Sequence, residues 1–122
     1  MATKTKPSKA KPSSAKPSLR FFHSPALRER TTKVLAAIDG DEDPTKHAGA
    51  LSDLVAALTE AGLDYYFLLP LREAKMSFIA RQTANLGMSG ALRIMSPIIG
   101  KILGGADAAQ LRVVSRHIRD LM

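Results

Sequence analysis

Leu63-Asp64-Tyr65-Tyr66-Phe67-Leu68-Leu69-Pro70-Leu71, continued by Arg72 through Leu86, is the stretch on which the fold turns. The 122-residue chain has four Phe and two Tyr, and three of these aromatics stand side by side at Tyr65, Tyr66 and Phe67. From Tyr65 to Leu71 there is no charge. A run this apolar must be covered by other chain, by a partner or by a membrane. Asp64 offers a carboxylate to the unpaired N–H groups of a helix start. Pro70 has no N–H and pushes Leu69 away from the helical region. The expectation is a short helical turn over 65–69, a break or kink, and a second helix from Pro70 to about Leu86, ended by Gly87. On that helix Leu71, Ala74, Phe78 and Ile79 form an inner stripe that packs as core. Glu73, Ser77 and Arg81 lie four apart on its outer face.

The flanking segments share the helical period. Ser24-Pro25 joins an N-cap to a proline at the first helical position. It opens a helix to about Asp39 with Leu27, Thr31, Val34, Leu35 and Ile38 on one face, closed by Gly40. A second helix runs from Pro44 to about Ala61 along Leu51, Leu54, Val55 and Leu58, with Gly62 as its stop. A helix from about Ser89 to Leu103 carries Leu92, Ile94, Met95, Ile98, Ile99, Ile102 and Leu103. Its apolar arc is too wide for an ordinary surface helix. It is either a central buried helix kinked at Pro97 or an interfacial helix with Arg93 and Lys101 on its polar side. Residues 96–104 resemble short membrane-active peptides of the temporin type. Gly100 and Gly104 would admit a second helix closely. Asp107 and Gln110 make a capping-box start for a last helix whose Leu111, Val114, Ile118 and Leu121 face inward. No segment alternates as a strand does. The fold class expected is all-α: a compact bundle of about five short helices over 24–122, behind a disordered basic tail over 1–23.

Charge is divided unevenly along the chain. Residues 1–20 carry Lys4, Lys6, Lys9, Lys11, Lys16 and Arg20 and no acid, residues 21–71 are net acidic, and residues 72–122 are net basic, within a total of +7. The leader repeats Lys-Pro-Ser at positions 6–8, 11–13 and 16–18. Such a segment has too little apolar surface to offset its ordering entropy. In composition it resembles the Lys/Ala/Pro/Ser tails of linker-histone-type proteins, and that resemblance implies contact with polyanions. Six charges on duplex phosphates would lower log K with log salt at a slope of roughly −5. A passive linker is the alternative. Three prolines and scarce arginine oppose a mitochondrial transit peptide, and the basic start lacks the apolar run of a secretory signal. Arg93 and Lys101 interrupt the most apolar window, so no transmembrane span is expected. With no cysteine, thiol chemistry is excluded, and a cytoplasmic location is the expectation.

Other motifs fail on their context. Asp39-Gly40-Asp41-Glu42-Asp43 opens like a calcium loop, but Pro44 and Ala50 stand where the turn glycine and the bidentate glutamate belong. Leu86-Gly87-Met88-Ser89 resembles the turn of a helix-turn-helix. Thr83 replaces its usual small residue, and Arg93 and Ser96 replace the apolar residues that lock its second helix. Ser115, His117 and Asp120 are near in sequence, yet Ser115 and His117 point about 200° apart on a helix. No catalytic set, metal set, cofactor or small-molecule substrate is indicated. The first functional expectation is a non-catalytic binding protein. Its leader residues, with Arg112, Arg116 and Arg119 on one helical ridge, contact a polyanion such as nucleic acid, while the helical domain docks a protein partner or itself. The alternative is a membrane-surface or helix-binding protein using Phe21, Phe22, Ile98, Ile99 and Ile102.

Overall fold

The computed structural model describes residues 16–122, and every regular element among them is helical. The expected disorder of the leader concerns residues that lie largely outside this range, as do Lys4, Lys6, Lys9 and Lys11.

Helix α1 (Pro25–Gly40) starts as its sequence dictates. Ser24 Oγ accepts the Leu27 N–H at 3.1 Å, and Pro25 follows where an N–H would go unused. Thr31, Leu35 and Ile38 bury its inner face. A 3-10 turn, Pro44–His47, leads into α2 (Ala48–Leu63). Gly62 does not stop this helix. A π turn over Asp64–Leu68 and the short α3 (Leu69–Glu73) carry it onward, making one 30-residue rod, Pro44–Glu73. Within it the Leu69 N–H donates to the Asp64 carbonyl, five residues back. That register change opens a new first turn at Leu69. Pro70 occupies this turn, where a missing N–H leaves no bond unmade.

The break expected at Pro70 therefore falls later, at residues 74–77. Lys75 N–H donates to the Arg72 carbonyl at 3.0 Å and Met76 N–H to the Leu71 carbonyl at 3.1 Å, the paired bonds of a Schellman stop. Lys75 takes φ 56°, a left-handed conformation usually left to glycine. Ser77 then caps the next helix, its Oγ accepting the Ala80 N–H at 3.2 Å. Helix α4 (Phe78–Gly104) runs 27 residues without interruption through Gly87, Gly90, Pro97 and Gly100. The end expected at Gly87 and the restart at Ser89 are thus corrected, and the helix-turn-helix-like tetrapeptide is mid-helix. A glycine inside a helix costs only about 1 kcal/mol, which packing along α2 offsets. Helix α5 (Ala108–Asp120) begins with the expected capping box, Asp107 and Gln110 exchanging bonds of 2.8 and 2.9 Å.

The core lies at one end. Leu35, Ile38, Ala48, Leu51, Leu54, Leu103 and Leu111 form it, with Leu27, Val34, Val55, Leu58, Ile99, Ala106, Val114 and Ile118 packed around. These come from α1, α5, the first part of α2 and the end of α4. No residue in 59–98 is buried. The two long rods run antiparallel and meet tightly at the core, where a Cβ on Gly100 would stand 3.3 Å from Ser52 Oγ. Beyond it they project as a two-helix arm. Phe78 and Ile79, expected inside, are 69% and 75% exposed at its tip. Leu121, also expected inside, is exposed at the chain's end.

Candidate functional site

Counted at about 100° per residue, Ile79, Leu86, Ile94 and Ile98 share an arc of about 120° on α4. The half-buried Arg81, Ala84, Met88, Leu92 and Ile99 lie across the helix, on the side that meets α2. The four apolar residues of the arc are more than half exposed, as is Ile102 on its border, and the exposed Thr83 and Lys101 are the polar residues among them. Helix α4 is therefore apolar on both sides: one side covers α2 and the other faces outward. Gln82, Ser89, Arg93 and Ser96 form the polar seam between them. Residues 74–106 contain Lys75, Arg81, Arg93 and Lys101 and no acid. Ordinary surface helices mix the two signs of charge; this one is apolar and wholly basic. That signal was present in the sequence but was obscured by the expected break at Gly87, which divided the helix in two. Each long rod, Pro44–Glu73 and Phe78–Gly104, also has the length and composition to cross a membrane, with 6% of its most apolar window buried.

The leader meets the arm at the π turn. Tyr66 donates its hydroxyl hydrogen bond to the Arg20 carbonyl. The Phe21 ring lies 6.4 Å from Tyr65 and 6.3 Å from Tyr66, edge-on to the latter, and Phe21 touches the open side of Gly62. Phe21 is thus half-covered by its own chain. Phe22 approaches Tyr65 at 6.0 Å yet is largely exposed, and Leu19 more so. Lys16 and Arg20 are exposed beside them. Of the expected surface residues on α4, Ile98 and Ile102 face solvent, whereas Ile99 packs against the core.

The arginine ridge of α5 divides. Arg119 pairs with Asp39, and Arg112 donates to the Asp41 carbonyl at 3.0 Å. Asp39 sits in the last turn of α1, where the helix dipole disfavours an acid. Arg119 and the buried Ser115, whose Oγ donates to Asp39 Oδ1 at 3.2 Å, offset that cost. Arg116 is exposed. Ser115 faces Asp39 and His117 faces solvent, so the Ser115–His117–Asp120 triplet does not converge. The acidic loop is occupied with its own chain. Asp41 Oδ1 accepts the Asp43 N–H at 3.0 Å, and Oδ2 accepts from His47 Nε2 at 2.9 Å. The Asp43 bond, then the His47 bond, hold the Asp41 carboxyl below its ordinary pKa. No group of three or more His, Asp or Glu gathers as a metal set among the described residues.

At the tip, the end of one rod and the start of the other flank a half-open cavity of about 410 Å³ lined by Leu68, Leu71, Arg72, Phe78, Arg81, Gln82 and Asn85. Arg81 was expected on an outer face; its Nε is buried there with no hydrogen-bond acceptor among the described residues.

No family model, curated protein or solved structure matches this chain.

Proposed function

We propose that this chain is a non-catalytic protein of the membrane surface. Helix α4 lays its outer apolar arc into the boundary of an anionic lipid leaflet, and the basic leader adds charge from the Phe21–Phe22 end. The observation that carries this is the exposed row Ile79, Leu86, Ile94 and Ile98 within a segment free of acids. Full burial of one such side chain is worth about 1.5–3 kcal/mol. A basic residue near an anionic surface adds about 1 kcal/mol. The four apolar side chains therefore contribute on a scale comparable with the charges, and binding persists, weakened, when salt screens them. The rods lie on the leaflet rather than span it. Glu60 and Asp64 interrupt the first rod and Arg93 and Lys101 the second, while both rods have their far ends in the core. In this reading the helical domain acts as one unit on the cytoplasmic leaflet, which is the anionic one.

A second reading rests on the six basic residues of the leader: nucleic acid is bound there, and the domain docks a protein partner or a second copy. Flotation of the full chain and of a chain lacking residues 1–20 separates the two. The membrane reading predicts flotation with phosphatidylcholine–phosphatidylglycerol vesicles that survives high salt and, weakened, survives the deletion. No flotation with these vesicles refutes it. Salt-sensitive duplex binding abolished by the deletion, without flotation, establishes the second reading.

A further inference from the structure

We propose that the cavity at the arm's tip is a binding site for the phosphate of an anionic phospholipid head group. This rests on the membrane reading and assigns it a specific ligand contact. The cavity is walled by two facing helical strips, Leu68, Leu71 and Arg72 from one rod and Phe78, Arg81, Gln82 and Asn85 from the other. Residues three, four and seven apart lie on one helix face, so each rod presents a single edge to the space between. Two guanidinium groups and two amides supply donors; the lining contains no carboxylate. Neither Arg72 nor Arg81 has an ion-pair partner among the described residues. Burying a guanidinium N–H without an acceptor is costly, and Arg81 Nε is held in that condition. An oxyanion with several acceptor oxygens relieves it, and arginine's planar fork suits phosphate better than a point charge does. The first turn of α4, capped at Ser77 and starting at Phe78, adds the positive end of its dipole.

The apolar walls decide between a free anion and a lipid. Leu68, Leu71 and Phe78 line the same cavity as the arginines. Phe67, Met76, Phe78 and Ile79 stand exposed around the arm's tip. Soluble phosphate has no use for such surroundings, whereas a phospholipid brings its phosphate attached to glycerol and acyl carbon.

The test uses the full chain and phosphatidylcholine vesicles with and without phosphatidylglycerol. Arg81→Gln and Arg72→Gln should each weaken binding to the anionic vesicles roughly tenfold, as loss of a charge-assisted pair does. Arg93→Gln, which removes an equal charge from the seam of α4, should change it by no more than about twofold. Arg81→Lys should not restore binding, since it keeps the charge and loses the fork. Equal losses in Arg81→Gln and Arg93→Gln, or rescue by Arg81→Lys, would overturn the site and leave only diffuse attraction. Circular dichroism confirms that each variant is folded; should Arg81→Gln unfold, Arg72→Gln carries the same comparison. Titration with inorganic phosphate, followed at the Arg81 Nε–H resonance, distinguishes the source. A saturable shift as strong as that given by vesicles would assign the site to a soluble anion and overturn the lipid. If the wild-type chain floats with neither vesicle, the membrane reading itself has failed; flotation with unaltered variants fails the cavity alone.

Discussion

Lys75 is where the chain's architecture hinges on one backbone conformation. Its left-handed φ of 56° completes the stop that separates the two rods, and an L-residue holds that conformation at a cost of roughly 1–2 kcal/mol. Lys75→Gly removes the steric penalty but adds entropy to the unfolded chain. We expect a net gain of about 0.5–1 kcal/mol in urea unfolding. A loss of stability would mean that the lysine side chain holds the turn by a contact of its own. The stop was hard to read because no glycine marks it. Pro70, by contrast, looked like a break and is not one. A proline breaks a helix only where a regular i→i−4 bond is demanded of it, and the π turn ahead of Pro70 withdraws that demand. The caps were legible because their chemistry is local: Ser24, Asp107 and Gln110 bond within three residues of themselves.

Helix α4 behaves as two different helices end to end. Near Gly100 and Leu103 it is part of the core, and from Phe78 to Ile98 it is half of an arm. Periodicity alone does not separate these. It identifies Leu51 and Leu54 as inward and is right, because α1 and the end of α4 are there to cover them. It identifies Phe78 and Ile79 as inward and is wrong, because nothing among the described residues covers the tip. The contrast is measurable by thermal or denaturant unfolding. Leu51→Ala should cost about 2–5 kcal/mol, as for a fully buried leucine in a small core. Ile98→Ser, more than half exposed, should change stability by no more than about 0.5 kcal/mol. A comparable loss for both would place Ile98 in an interior rather than on the outer face of α4.

The molecule as a whole is a small packed base with a long apolar arm, and its charges follow the same division. Asp39 and the acidic loop after α1 are tied into the base by Arg119, Arg112 and His47, whereas α4 is acid-free and, with the leader, basic. The wide apolar arc was legible as an alternative from the first, with Arg93 at its edge, but Lys101, expected on the same polar side, falls within the arc near its core end. The cavity and Arg81 were not, since they arise from two edges brought together only by the turn at residues 74–77. The chain has no cysteine, so single cysteines can report on each face of α4 without interference. The decisive measurement places a polarity-sensitive fluorophore at Ile79→Cys, Ile98→Cys or Ser89→Cys and adds phosphatidylglycerol-containing vesicles. The lipid-facing outer arc predicts blue-shifted emission at positions 79 and 98 and none at 89, on the polar seam; unchanged emission at 79 and 98, or an equal shift at all three, would contradict it.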